Sequence, residues 1–414
     1  MGPIIKALLW ISYAISLYCA VFILLQVIKN KYTPGVRKLH GLPKVTITVP
    51  AHNEEKTIVA TLRSLDRLNY PKGRLQVFVV NDGSTDATRA LAREYAKDKS
   101  YIRVITKKNR AGKAAALNTA LAITKSPFFV CLDADSEVHP DILKNMLSYF
   151  DDDVALVTPA MRVNGPQTFM QRLQRAEYLV QVLLARLISG LDCQYVAPGP
   201  FSVYRTGVLE GLGGFDEKNI TEDQEIGYRH QLHHYRIRHC HEGLVFTNAP
   251  ATLHAWYRQR RRWFRGGLDT LLQYRSMLLN KEYGDFGYMQ MLQNLVRMGL
   301  CVLTIIITWS VIIHPWWKKM RDLLLIRFDV LPSLHTLTLK YDLVNIGTAQ
   351  LAVLTAILTI TLFLFWQAHR EMNENVMSHG FFVIIPYFFV YYLLNSIVMC
   401  IVILQAILGV RKQW

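Results

Sequence analysis

Apolar residues are spread unevenly along this chain. One nearly uncharged run extends from Ala7 to Val27, about 270 residues of mixed character follow, and three more apolar stretches lie near Met298–Ile313, Val344–Trp366 and Phe381–Val410. Each is close to the roughly 20 residues with which an α-helix crosses hydrocarbon. The pattern predicts an integral membrane protein with about four transmembrane helices, the last long enough to tilt, kink or bend back on itself. Within the mixed region the pattern alternates strand and helix: Val45–Val49 then Glu54–Asp66, Gln76–Val80 then Asp86–Ala96, Arg103–Ile105 then Lys113–Ile123, Phe128–Leu132 then Pro140–Phe150, and Ala155–Thr158. These strands are short continuous apolar runs, as expected where helices cover both faces of a sheet. The expected fold is α/β, with a mostly parallel, Rossmann-like doubly wound sheet.

The first run is long for a signal peptide and no small-x-small cleavage pattern closes it, which predicts an uncleaved anchor over residues 1–30. Lys29, Lys31, Arg37 and Lys38 follow it while only Lys6 precedes it, so the positive-inside rule places the central domain in the cytoplasm. Three C-terminal spans then leave Arg411 and Lys412 outside, and Pro315–Val344 carries five basic residues; both work against that topology.

Composition changes the picture in two respects. A net charge of +16 accompanies 51% hydrophobic residues, but no nucleic-acid recognition motif comes with it, so anionic lipid headgroups and phosphate-bearing substrates are the expected partners and nucleic acid is not. The six cysteines are scattered without CxxC spacing, which indicates neither a disulfide framework nor a thiolate metal site and agrees with a reducing cytosol.

In a sheet of this type, ligands bind beyond the carboxyl ends of the strands. The first strand ends in Pro50-Ala51-His52-Asn53-Glu54-Glu55, the second in Asn81-Asp82-Gly83-Ser84-Thr85-Asp86 and the fourth in Asp133-Ala134-Asp135. Any one of these reads as a turn or a helix cap, Asp86 being a candidate cap; three acid-bearing loops on one sheet edge are harder to dismiss. Asp133 and Asp135 suit Mg²⁺ or Mn²⁺, which join few protein carboxylates to substrate phosphates. Thr221-Glu222-Asp223 reads either as an N-cap followed by acids at the positive helix end or as the home of a general base. Trp256-Tyr257-Arg258-Gln259-Arg260-Arg261-Arg262-Trp263 reads as a basic amphipathic helix on the membrane, as arginine forks for a diphosphate beside an aromatic face, or as both. His230 and His234 have the i, i+4 spacing of a helical metal site, but the glutamate of an H-E-x-x-H protease is missing. Asn219-Ile220-Thr221 forms a glycosylation sequon, whose use would contradict a cytoplasmic domain.

Taken in order, Val49–Glu55, Asn81–Asp86, Gly112-Lys113-Ala114, Asp133-Ala134-Asp135, Gly199-Pro200-Phe201-Ser202-Val203-Tyr204-Arg205, Thr221-Glu222-Asp223 and Gln259-Arg260-Arg261-Arg262-Trp263 resemble the processive family 2 glycosyltransferases, which include cellulose, chitin, hyaluronan and poly-N-acetylglucosamine synthases. The resemblance covers about residues 44–270 through motifs. It implies a GT-A catalytic domain there, with an interface helix at 167–190, an interface helix or linker at 271–295 and a transmembrane region at 296–414. It further implies inversion at the anomeric carbon. Asp82, with residues near Glu54 and Lys113, would hold the uridine of a UDP-sugar; Asp133 would face the nucleotide sugar and Asp135 the metal-bound diphosphate. Asp223 would be the general base with Glu222 as its supporting neighbour, while Gln259, Arg262 and Trp263 would close over the diphosphate and the acceptor end of the glycan.

Thr221-Glu222-Asp223 stands where hyaluronan synthases usually carry Gly-Asp-Asp, which argues against hyaluronan; the expected product is a β-linked polymer of N-acetylglucosamine or glucose, exported across the plasma membrane, with an accessory membrane subunit as a candidate partner. Two alternatives remain: single transfer to diacylglycerol, ceramide or a polyprenyl phosphate, and a noncatalytic nucleotide-sugar sensor or export channel. Retention of Asp135 and Asp223 counts against the last, because a sensor needs no base.

Overall fold

The computed structural model describes residues 2–29, 41–325 and 347–410. Lys31, Arg37, Lys38, Arg411, Lys412 and residues 326–346, on which much of the orientation reading rests, lie outside these. The alternation expected from the sequence is present: β1 (Val45–Ala51), α2 (Ile58–Asp66), β2 (Leu75–Asp82), α3 (Thr88–Ala96), β3 (Ile102–Lys107), α4 (Lys113–Leu121), β4 (Phe128–Cys131) and, after a short β5 (Ser136–Val138), α5 (Ile142–Leu147) and β6 (Val154–Val163). Beyond them come α6 (Phe169–Gly190), β7 (Ser202–Arg205), α7 (Thr206–Gly211), α8 (Glu222–Leu232), β8 (Arg236–Thr247) and α9 (Leu253–Gln273).

The described strands form one sheet in the order β3-β2-β1-β4-β7-β6-β8-β5. Its first half is parallel throughout, as expected. The second half departs from that expectation: β7 runs antiparallel to both β4 and β6, and β5 antiparallel to β8, while β6 and β8 are parallel. β7 and β8 lie beyond the continuous alternation that ends with β6, so that periodicity carries no information about their direction.

Side chains alternate across the sheet with period two. Val77 and Val79 join Val45, Ile47 and Val49 in one core, closed by Ile58, Leu62 and Leu65 of α2 and Ile142, Leu143 and Met146 of α5. Phe78 and Val80 face the other way, onto Ala116, Leu117 and Ala120 of α4, Leu209 of α7 and Ile226 of α8. α2 starts at Ile58, not Glu54. The intervening residues form a loop laced to the loop after β2: Asn53 Oδ1 accepts from Thr85 N at 2.9 Å, Glu55 Oε2 from Ala87 N at 3.1 Å, and Thr88 Oγ1 from Glu54 N at 2.7 Å. Asp86 takes Thr88 N at 3.0 Å, a cap-like contact at the head of α3.

Among the described residues, four helices are long and apolar enough to cross a membrane: α1 (Pro3–Lys29) as the first span, then Phe286–Asp322, Thr348–Glu371 and Phe381–Ile407. The second starts at Phe286, within the segment expected to be an interface linker. The fourth runs as one helix through a π-turn at Tyr387–Tyr391 and does not bend back. The turn between the third and fourth spans is clamped to the sheet domain by ion pairs: Arg162 on β6 and Arg175 on α6 both hold Glu374, and Arg186 on α6 holds Glu371 at 2.5 Å.

Candidate active site

The acid-bearing loops converge at one edge of the sheet. The turn after β4 is fixed from the side: Leu132 N donates to Thr48 O of β1 at 2.9 Å, and Ala134 O accepts from Thr61 Oγ1 of α2 at 2.8 Å. Asp133 and Asp135 therefore stand on a rigid support. Across from them, Ala197 N donates to Asp223 O at 3.0 Å, tying the start of α8 to the loop before β7.

Lys113, the first residue of α4, joins the two sides. Its Nζ lies 2.5 Å from Asp133 Oδ1 and 3.2 Å from Glu222 Oε1. Burial alone would lower its pKa, but the two carboxylates hold the ammonium well above its usual value. Gly199 passes directly beneath: a Cβ there would stand 2.2 Å from Lys113 Nζ and 2.7 Å from Asp133 Oδ2, so a larger residue would displace the ends of that pair.

Glu54, Asp133, Asp135, Glu222 and Asp223 are near enough to feel one another's charge. Burial, reinforced by Asp133 and Glu54, pushes Asp135 up to about 6. Burial and Glu222 likewise push Asp223 up to about 6, against the opposing pull of Lys113 and Arg262. Glu54 is also raised by burial, with Thr57 Oγ1 donating to its Oε2 at 2.8 Å in opposition. Carboxylates this crowded favour a cation. Among the described residues no group of three or more His, Cys, Asp or Glu side chains forms a metal site. Two carboxylates on one turn, Asp133 and Asp135, suit a hard ion of the kind that takes its remaining ligands from phosphate and water.

The other predicted site residues occupy distinct places. Asp82, almost fully buried, accepts from Gly112 N at 2.7 Å and Ala111 N at 3.0 Å, thereby shaping the loop that leads into α4. Arg262 is exposed and its Nη1 donates to Ile220 O at 3.3 Å, just before Thr221-Glu222-Asp223. Gln259 Oε1 is buried without a partner. Trp263 packs with Val163, Tyr178 and Ala249. Arg260 departs from the reading of the arginine run as diphosphate forks, being 2% exposed and paired with Glu177 at 2.5 Å. Thr221 does not cap α8 through its side chain; its hydroxyl donates to Asn219 Oδ1 at 3.3 Å. Asn219 is itself buried and donates to Thr270 Oγ1 at 3.2 Å, leaving no exposed sequon amide. His230 is buried with Nδ1 on Ile226 O, whereas His234 stacks on Tyr283.

One glycine escaped the sequence reading. Gly266 on α9 faces Thr221: a Cβ there would meet Thr221 Oγ1 at 2.1 Å and Cγ2 at 2.5 Å. The paired Gly266-Gly267 inside a helix was the available signal, since glycine weakens a helix interior and persists there for a packing reason.

A curled α/β sheet with an acidic turn at the carboxyl end of β4 is the architecture of GT-A glycosyltransferases. A solved structure of this fold, "Mannosyltransferase PcManGT from Pyrobaculum calidifontis in complex with GDP-Man and Mn2+", superposes with a TM-score of 0.64 at 19% identity, covering 86% of this chain and 99% of that one. Residues 46–213 match the family described as glycosyl transferase family 2. A probable glycosyltransferase, YdaM, of Bacillus subtilis (strain 168) is 33% identical over 56% of this chain and 57% of its own length. The beta-monoglucosyldiacylglycerol synthase of Nostoc sp. is 29% identical over 62% and 56%, and the poly-beta-1,6-N-acetyl-D-glucosamine synthase of Staphylococcus aureus (strain COL) is 28% identical over 66% and 65%. The chain thus matches less than two thirds of the length of each of these relatives.

Two outcomes are expected. Thr221 is buried and β-branched and cannot yield easily, so Gly266→Ala should shift Glu222 and Asp223 and lower kcat by about tenfold or more in a steady-state assay, with the circular dichroism spectrum unchanged. The raised pKa of Asp135 means that the folded protein binds its proton more tightly than the unfolded chain. The stability associated with that proton is complete below about pH 4 and is lost as pH rises through about 6. Metal-free Asp135→Asn should therefore melt higher than wild type at pH 7 and match it at pH 4 by differential scanning fluorimetry.

Proposed function

We propose that this protein transfers a hexosyl or N-acetylhexosaminyl unit, with inversion, from a UDP-sugar to the growing end of a β-linked polysaccharide, and passes the product across the membrane in which its spans lie. The observation that carries this reading is the separation of tasks in one acidic cleft. The Asp133–Asp135 pair on β4 is suited to a diphosphate-bound cation, while Asp223 on a different element sits under the influence of Glu222, Lys113 and Arg262.

Asp133 and Asp135 would hold Mg²⁺ or Mn²⁺, which supplies charge to stabilise the departing diphosphate. Asp223 takes the proton of the attacking hydroxyl as that oxygen bonds to the anomeric carbon. The bond from that carbon to the diphosphate breaks on the opposite face, and UDP leaves with the electron pair. Arg262, exposed beside Ile220, is placed to meet the growing negative charge. Glu222 and Lys113 keep Asp223 oriented and its charge balanced. Asp82, the region of Glu54 and the head of α4 form the nucleotide side; Gln259 and Trp263 form the acceptor side. The excess of basic residues after the first span supports a cytoplasmic catalytic domain, and polymer export supports the plasma membrane.

A second reading is single transfer to a lipid. It is favoured by the beta-monoglucosyldiacylglycerol synthase relative, which matches at an identity similar to that of the polymer synthase.

The test is UDP release by the purified chain in nanodiscs with Mn²⁺ or Mg²⁺, screened over UDP-N-acetylglucosamine, UDP-glucose, UDP-galactose and UDP-glucuronate. Metal-dependent turnover of one donor should rise with pH through about 6, as Asp223 ionises, and Asp223→Asn should lose at least about 100-fold. Long products by mass spectrometry decide for the polymer, singly glycosylated lipid for the alternative. Turnover that survives in Asp223→Asn sinks the assignment of the base, and UDP binding without any turnover points to a sensor or a missing subunit.

A further inference from the structure

The fourth span packs against the helix that carries Gln259, Arg262 and Trp263, and within that apolar contact one buried hydroxyl, that of Tyr391, joins the two by hydrogen bonds. Tyr391 closes the π-turn Tyr387–Tyr391 and is buried. Its OH donates to Glu177 Oε2 on α6 at 2.7 Å and accepts from Trp256 Nε1 at 2.9 Å and Arg260 Nη2 at 3.2 Å, both on α9. A phenol has one proton to give and room for two to receive, so this hydroxyl is fully used.

Arg260 carries the contact onward. Its guanidinium, also paired with Glu177, lies 4.3 Å from the centroid of the Trp263 ring. Trp256, Arg260 and Trp263 follow one another at spacings of four and three, so they form one stripe along α9. The indole, packed on its other contacts against Val163, Tyr178 and Ala249, thus also meets a guanidinium held by an acid on α6 and a hydroxyl in the membrane helix.

Stability does not account for this arrangement. A buried ion pair is commonly no better for stability than apolar residues of the same volume, and Arg260 Nε has no partner at all. The fourth span is also wound as a π-turn where it presents Tyr391, a distortion frequent at functional positions.

We propose that Tyr391 is a positioning residue for the acceptor subsite: through Arg260 and Glu177, the fourth membrane span fixes the angle at which Trp263 meets the incoming end of the acceptor. This rests on the placement of Trp263 at the acceptor given above. It makes the geometry of a membrane helix part of acceptor recognition, so acceptor KM responds to a group that never touches acceptor.

The experiment uses the full chain in nanodiscs and, as acceptor, a β-linked N-acetylglucosamine trimer or dioleoylglycerol, whichever the wild type glycosylates. Tyr391→Phe removes the hydroxyl and keeps the ring that packs on Trp256 and Val398. It should raise acceptor KM about three- to tenfold, the effect of one lost hydrogen bond, and leave donor KM unchanged. Glu177→Gln should act in the same direction. Trp263→Phe should show the acceptor defect by itself, and adding Tyr391→Phe to it should cost little more, because the two act through one ring. If Trp263→Phe leaves acceptor KM intact, the underlying placement of Trp263 fails. If Trp263→Phe has the defect while Tyr391→Phe matches wild type, or raises donor and acceptor KM together, the role of Tyr391 alone is overturned.

Discussion

A single ammonium group stands between carboxylates contributed by two separate parts of the chain. Lys113 meets Asp133 from the end of β4 and Glu222 from the head of α8, elements about ninety residues apart in sequence. Without a cation between them, the acids gathered at this edge would repel one another and draw protons out of a mildly acidic solution. With it, the two sides of the cleft are held at a set separation over Gly199, whose missing side chain is the space the pair occupies. The rest of the cleft depends on this cross-link, because it keeps the acids on either side apart yet near enough to feel one another's charge.

Each side of that cross-link has its own support. The turn after β4 leans on Thr61 of α2 and on the parallel half of the sheet. The start of α8 leans on Ala197 and, through Asn219 and Thr221, on α9. α9 therefore holds the loop bearing Glu222 and Asp223 through Arg262 and Gly266, and the fourth span through Trp256 and Arg260. One helix joins the cleft to the membrane-spanning part of the chain.

Much of this was legible in the sequence because it is local. Continuous apolar runs gave β1 to β4, and position just after a strand was enough to place Asp82, Asp133 and Asp135 on one edge. Arg260 lies in the same run as Arg262, and nothing in their order shows that the first is buried against Glu177 while the second is exposed. That difference depends on α6 and the fourth span, which come from 83 residues before and 131 residues after it. The antiparallel entry of β7 and the glycines under Lys113 and Thr221 are likewise tertiary facts. They reflect which backbones must come close, and a glycine code letter does not say what it approaches.

The three arginines that grip the turn between the third and fourth spans have a consequence for reach. Arg162, Arg175 and Arg186 fasten β6 and α6 to Glu371 and Glu374, so the cleft cannot rock toward or away from the ends of those spans without breaking several ion pairs at once. The cleft is thereby mounted on the spans as if by a stiff bracket. Were the acceptor anchored in lipid, as in the second reading proposed above, the length of its headgroup would decide whether its hydroxyl reaches the cleft.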